Sequence, residues 1–136
     1  MAQAIIAAIT DTARSKFADM VKTGNSFTVD SYITGSGGHD PENPTVALTP
    51  DPTITDLPNK TSDKKTIPDG NIILISPFCV QYQIALDLLD SVGSLSNLGL
   101  YATDSTDTSF LFAVANFPLI VKTDAERRSI FIQVNY

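Results

Sequence analysis

The sequence predicts an α+β domain: an N-terminal amphipathic helix, a long Pro-rich arm, and an antiparallel β-sheet or small β-sandwich. Three observations predict it. Residues 3–22 place apolar side chains at helical spacing, residues 39–69 are crowded with proline and polar turn formers, and residues 71–136 alternate between apolar and polar. The 136 residues amount to one ordinary domain, 1–136. It divides into a helical segment (1–24), an extended Gly/Pro-rich arm (35–70) and a β-rich core (71–136). Apolar residues make up 43% of the chain, enough for a packed core.

In the first segment Ile5, Ile9, Ala13, Phe17 and Val21 fall at i, i+4 steps, with Ile6 and Met20 beside them. Gln3, Asp11, Arg14, Lys16, Asp19 and Lys22 lie largely off that stripe. Gly24 sits just past the end, where a left-handed cap costs little. The expectation is a helix of about five turns. It packs on its own domain, or helices from several chains meet at a symmetry axis. Residues 26–33 then alternate, Phe27, Val29 and Ile33 against Thr28, Asp30 and Tyr32, as a strand does.

Gly35-Ser36-Gly37-Gly38 breaks that strand. Prolines at 41, 44, 50, 52, 58 and 68 then exclude a central strand or long helix, because proline lacks a backbone donor. So long a stretch is more than a plain connection. It is either disordered or functional, for instance an extended arm lying on a neighbouring chain.

The remainder reads as β. Asn71–Ser76 is a short apolar strand. Phe78–Leu88 alternates, with Leu86–Asp90 also compatible with a helical turn. Leu98–Ala102 and Phe110–Phe117 form a hairpin around Thr103–Thr108, whose Asp and Thr side chains suit a turn. Pro118 is expected to interrupt the second strand. Asp124-Ala125-Glu126-Arg127 makes another turn before a final strand containing Ile130, Ile132, Val134 and Tyr136. No internal repeat of 20–50 residues is present, which excludes a solenoid or propeller.

Charge narrows the function classes. The formal net charge is −6, and the nine Lys and Arg are scattered without a basic stripe. This argues against nucleic-acid binding and against docking on anionic lipid. Charged residues are only 18%, below the usual quarter or so. Part of the surface is then covered by other subunits, or the exterior is simply rich in Ser, Thr and Asn. The longest apolar runs, Ile72–Ile75 and Phe110–Ala115, are strand-sized and too short to span a membrane. The apolar N-terminus lacks the preceding positive charge of a signal peptide. One cysteine, Cys79, allows no intrachain disulfide and fits cytosolic synthesis.

The inventory for catalysis is thin. His39 is the only histidine, so a His-rich zinc site within one chain is impossible. His39-Asp40-Pro41-Glu42 has no recognised ligand spacing. Ser36 lies in Gly-Ser-Gly without the full nucleophile-elbow spacing, and the glycines are followed by no Gly-Lys-Ser/Thr. Ser36 with His39 would be a dyad lacking a third member. These glycines instead allow positive φ and close backbone approach. Cys79, beside Phe78 and Val80, reads as a buried thiol. Asp104, Asp107 and Asp124 read as turn carboxylates, with a glycosidase pair the sharper alternative. Tyr32, Tyr82, Tyr101 and Tyr136 could supply a sugar platform, although none is evident. No catalytic residue, cofactor or metal is expected, and the chain is read as a non-enzyme.

Several short motifs, in order, resemble the N-terminal baseplate-attachment domain of bacteriophage tail-fibre and tail-collar proteins. Phe27–Ile33 followed by Gly35-Ser36-Gly37-Gly38 resembles the strand and glycine turn of that family. Pro44-Thr45-Val46-Ala47-Leu48 resembles the proline, small-residue, leucine stretch after it. Asn97-Leu98-Gly99-Leu100-Tyr101 resembles the Gly-Leu-aromatic motif, with Asn97 where the family carries an acidic residue. Ala113-Val114-Ala115-Asn116-Phe117-Pro118 with Lys122-Thr123 resembles the strand and lysine that follow. The likeness covers most of the chain and matches the arm least.

The resemblance implies a virion structural protein, assembled in the host cytoplasm and resident in the phage tail or baseplate. Its partners would be other tail and baseplate proteins and a tail-fibre chain. Several copies are expected, as a trimer or in multiples of three or six, with no nucleic acid and no membrane. No shaft repeats follow Tyr136, so an adaptor seating a separate fibre chain is expected. Ile5, Ile9 and Phe17 are the candidates for helix packing, Gly35, Gly37 and Gly38 for shaping the start of the arm, and Gly99, Leu100 and Tyr101 for the sheet. A carbohydrate-binding β-sandwich used in host recognition is the alternative, and a small hydrolase built on Ser36 or the acidic turns is a third reading.

Overall fold

Over residues 4–136, which the computed structural model describes, the chain forms two β-sheets and one short α-helix. The fold is therefore predominantly β, and the expectation of an α+β domain led by a five-turn helix is corrected. The first apolar positions of the supposed helical stripe lie on strands, β1 (Ile5–Ile6) and β2 (Ala8–Ile9), and helix α1 spans only Asp11–Thr23. A spacing of four residues satisfies both a helix and an alternating strand, and here Ile5 and Ile9 both pack against the core from strands of different sheets. Their β-branched side chains favour the extended form.

Thr10 sets the boundary. Its extended backbone (φ −73°, ψ 159°) precedes the helix, and its hydroxyl accepts from the Ala13 N–H at 3.1 Å. The same hydroxyl donates to the Leu111 carbonyl at 2.7 Å, tying the helix start to the sheet. At the other end Gly24 adopts the left-handed conformation (φ 77°) and its N–H closes on the Met20 carbonyl. Ala13 is fully buried, whereas Val21 is exposed. Phe17 sets its ring edge-on to Phe27, Phe112 and Tyr136, at centroid distances of 5.0, 6.0 and 6.1 Å. The helix thus closes one end of its own sandwich.

The other strands are β3 (Phe27–Gly35), β4 (Lys65–Thr66), β5 (Ile72–Ser76), β6 (Cys79–Leu86), β7 (Gly93–Asp104), β8 (Ser109–Lys122) and β9 (Arg128–Asn135). They form a first sheet ordered β1-β9-β6-β5 and a second ordered β2-β8-β7-β3-β4. The N-terminal segment bridges the two, since Ile5 pairs parallel with Ile132 while Ala8 pairs antiparallel with Val114. Between the sheets, Tyr82, Ile84, Leu86, Ile130, Ile132 and Val134 pack against Leu95, Leu98, Leu100, Phe110, Phe112 and Phe117 in one core. Burial of each such side chain contributes roughly 1.5–3 kcal/mol.

Pro118 does not interrupt β8, which runs on to Lys122. The proline lies in an irregularity of the β7–β8 pairing, where Leu95 pairs with Ile120 and Asn97 with Asn116, so the regular ladder does not call on its missing N–H.

The arm is also corrected. Residues 36–64 do not reach away from the domain but lie over the outer face of the second sheet. That face carries Ile33, Tyr101, Leu111 and Val114, and the arm supplies Leu57 and Ile54 to cover them in a second apolar cluster. Proline has no N–H to satisfy, so such a segment covers a face with side chains and scattered bonds instead of a ladder. The bonds include Ser36 N–H to Asn59 O (3.0 Å), Leu48 N–H to Gly38 O (2.8 Å), Leu119 N–H to Pro44 O (2.9 Å) and Asp11 N–H to Pro52 O (2.8 Å).

Candidate functional site

Two features stand out: the seam where the arm meets the second sheet, and the outer face and edge of the first sheet.

The seam depends on the glycines, through close approach and not through positive φ. Only Gly24 and Gly93 among the glycines have φ > 0. A Cβ on Gly38 would overlap the Ser96 carbonyl oxygen and lie 2.8 Å from Asn116 Oδ1. One on Gly35 would strike Asn97 Oδ1 and lie 2.9 Å from the Asn59 carbonyl. One on Gly37 would meet the Asn59 and Asn97 amide nitrogens at 3.1 and 3.3 Å. On the same face Gly99 leaves room for Leu111 and Tyr101, at 2.8 and 3.1 Å from where its Cβ would be. Leu100 points the other way and is fully buried in the main core.

Polar bonds close the seam. Ser96 Oγ accepts from the Gly38 N–H and contacts His39 Nδ1, both at 2.8 Å. Asn97 Nδ2 donates to Pro58 O at 3.2 Å, and Asn116 Nδ2 donates to Leu48 O at 3.0 Å. The Tyr101 hydroxyl donates to Asp56 Oδ1 at 2.6 Å and accepts from the Leu57 N–H at 3.2 Å. Burial, with the Asp56 carboxylate beside it, pushes the Tyr101 phenol well above its ordinary range. Partial desolvation works to raise the Asp56 carboxyl, but Lys60, Tyr101 and the Leu57 N–H outweigh it and hold the group low. Lys122, 1% exposed, donates to the carbonyls of Asp87, Leu88 and Thr123 at 2.7, 3.1 and 3.3 Å and fastens the turn between β6 and β7.

The remaining sequence candidates are dispersed. His39 bonds Ser96 and not Ser36, whose N–H is engaged by Asn59. Asp104 and Asp107 share the β7–β8 turn, while Asp124 lies beyond the opposite end of β8. Asp104 organises its turn, accepting from Thr106 Oγ1 (2.6 Å), the Thr108 N–H (2.9 Å), the Thr106 N–H (2.9 Å) and Lys16 Nζ (3.2 Å). These contacts, the Thr106 hydroxyl foremost, hold its carboxyl far below the usual carboxylate range. Cys79 is a buried free thiol. Tyr32, Tyr82 and Tyr101 are buried, leaving Tyr136 half-exposed. Among the described residues no three His, Cys, Asp or Glu side chains cluster as a metal site would need. No described helix is long and apolar enough to cross a membrane.

Sequence reasoning did not single out the first sheet. Of its strands only β9 carries a charge, Arg128, at its first position. Its outer face presents the cross-strand row Ile6, Gln133, Gln81 and Ile73, in which Gln133 Nε2 donates to Gln81 Oε1 at 3.0 Å. Gln83 and Phe131 stand opposite one another in the next row. Toward the β5 edge Ile73, Leu74, Ile75 and Phe78 are 47, 69, 51 and 68% exposed. The signal in the sequence is residues 70–86, which hold no Asp, Glu, Lys, Arg or His.

The fold and these surfaces define a β-sandwich with a docked arm. Comparison of the chain with protein-family models, curated proteins and solved structures finds no match.

Proposed function

We propose that the protein is a structural component of a bacteriophage tail, a non-enzymatic connector that seats a tail fibre on the baseplate. The observation that carries this reading is the convergence of four of the stretches on which the resemblance rests. Gly35–Gly38, Pro44–Leu48, Asn97–Tyr101 and Ala113–Pro118 are separated along the chain, yet all four meet in the seam. Leu48 bonds Gly38 on one side and Asn116 on the other, Gly35 and Gly37 sit against Asn97, and Gly38 sits against Ser96 and Asn116.

The low charge of the chain gains a location in this reading. The outer face of the first sheet is amide-rich and aliphatic, a composition suited to contact with other subunits, where charged residues are depleted. The arm acts within the chain, holding the second sheet rigid, and neighbours meet the first sheet. Quantitative mass spectrometry of purified tailed particles, with copies counted against the tube or sheath protein, tests the proposal. A small copy number in multiples of three or six is expected, and complete absence from particles would overturn it.

A further inference from the structure

We propose that β5 is a self-pairing edge through which two copies join their first sheets into one continuous sheet. The sheets end on four strands, and β1, β2 and β4 are two-residue strands, whereas β5 has five residues and, among the described residues, pairs only with β6. Proteins protect long edges with charge, proline or brevity. The β4 edge has lysines at 64 and 65. From Ile72 to Ser76 the β5 edge has none of these, and it carries Ile73, Leu74 and Ile75 into solvent.

The occupant that fits is a second copy of this chain. Ile73-Leu74-Ile75 reads the same in both directions, so antiparallel pairing about a twofold at Leu74 sets Leu against Leu and Ile against Ile. Ile72 then faces Ser76 of the other copy. Each copy carries a formal charge of −6, so most self-contacts bring acidic groups together. Residues 70–86 form the longest charge-free run of the chain, and pairing through them opposes no like charges. At the exposures given, Ile73, Leu74, Ile75 and Phe78 of two copies present on the order of 900 Å² of apolar surface. The backbone edge, Ser76 and Pro77 add to this, approaching the roughly 1,200 Å² of small stable interfaces. The inference stands on this edge alone and is independent of the particle in which the protein works.

Sedimentation velocity on the full chain between about 1 and about 300 μM tests it. A concentration-dependent dimer is expected, weakened at least about 10-fold by Leu74→Lys. Leu89→Lys, at a position 81% exposed outside the β5–β6 hairpin, leaves it unchanged. Should Leu74→Lys not fold, Ile75→Lys carries the same expectation. Hydrogen exchange then shows β5 amides gaining protection as concentration rises while β4 amides do not. A monomer throughout the range overturns the proposal, as does a dimer indifferent to the β5 substitutions.

Discussion

Replacing Gly38 by alanine tests whether the arm is seated as described. The added Cβ meets the backbone of β7, at the Ser96 carbonyl, and Asn116 Oδ1 at 2.8 Å. Neither the central strand of a five-stranded sheet nor its carbonyl can swing aside like the tip of a flexible side chain. Overpacking of this kind costs about 1–3 kcal/mol. If the arm lifts to relieve it, the Gly38 N–H bond to Ser96 Oγ and the Leu48 N–H bond to Gly38 O, both 2.8 Å, are strained or lost at about 1 kcal/mol each. Alanine returns about 0.4–1 kcal/mol by restricting the unfolded chain. The net expectation is a loss of about 3 kcal/mol, or a fall in Tm of about 10 °C for a chain of this size. Gly70→Ala is the control, because nothing lies within 4 Å of its would-be Cβ; it should stay within about 0.5 kcal/mol of the parent. Thermal melts followed by circular dichroism read both variants. A Gly38→Ala melt indistinguishable from that of Gly70→Ala would refute the seam as drawn.

Two further stability predictions follow from single side chains. Lys122→Met fills similar volume but strips the ammonium from three carbonyls in a buried position, and its guanidinium unfolding midpoint should report a loss of about 2–3 kcal/mol. Asp104 has a depressed carboxyl in the folded state, so its stabilising contribution is complete above the ordinary carboxylate pKa of about 4 and disappears as pH falls below it toward the folded value. Asp104→Asn should therefore melt below the parent at pH 7, with the gap narrowing between about pH 5 and about pH 2. A gap that stays constant or widens on acidification would contradict the role given to that carboxylate.

The last strand is legible because its alternation coincides with a single buried layer, Ile130, Ile132 and Val134, whereas the β7–β8 hairpin, covered on both faces, is legible as two apolar runs around a polar turn. The helix end was legible through Gly24, a local device. The N-terminal strands were not, since Ile5 and Ile9 fit two periods and the choice lay with distant partners, Ile132 and Ala113. The arm's place over the second sheet is not legible, because it depends on Tyr101, Asn97 and Asn116, which nothing in residues 36–64 reveals. The glycines were singled out, but the close backbone approach that makes them necessary is tertiary. The charge-free run at residues 70–86 was visible in the sequence, while its position at a solvent-facing edge required the sheet order.

The central claim places subunit contacts on the outer face of the first sheet, and incorporation of a charged variant into particles tests it most directly. Gln83→Glu combined with Gln133→Glu puts two carboxylates on that face, at half-buried positions whose side chains lie outside the sandwich core. The account predicts a folded protein with a Tm within a few degrees of the parent, incorporated into tails at no more than about a tenth of the parent copy number, as a like-charge penalty of several kcal/mol at an interface requires. Incorporation at the parent copy number would contradict it.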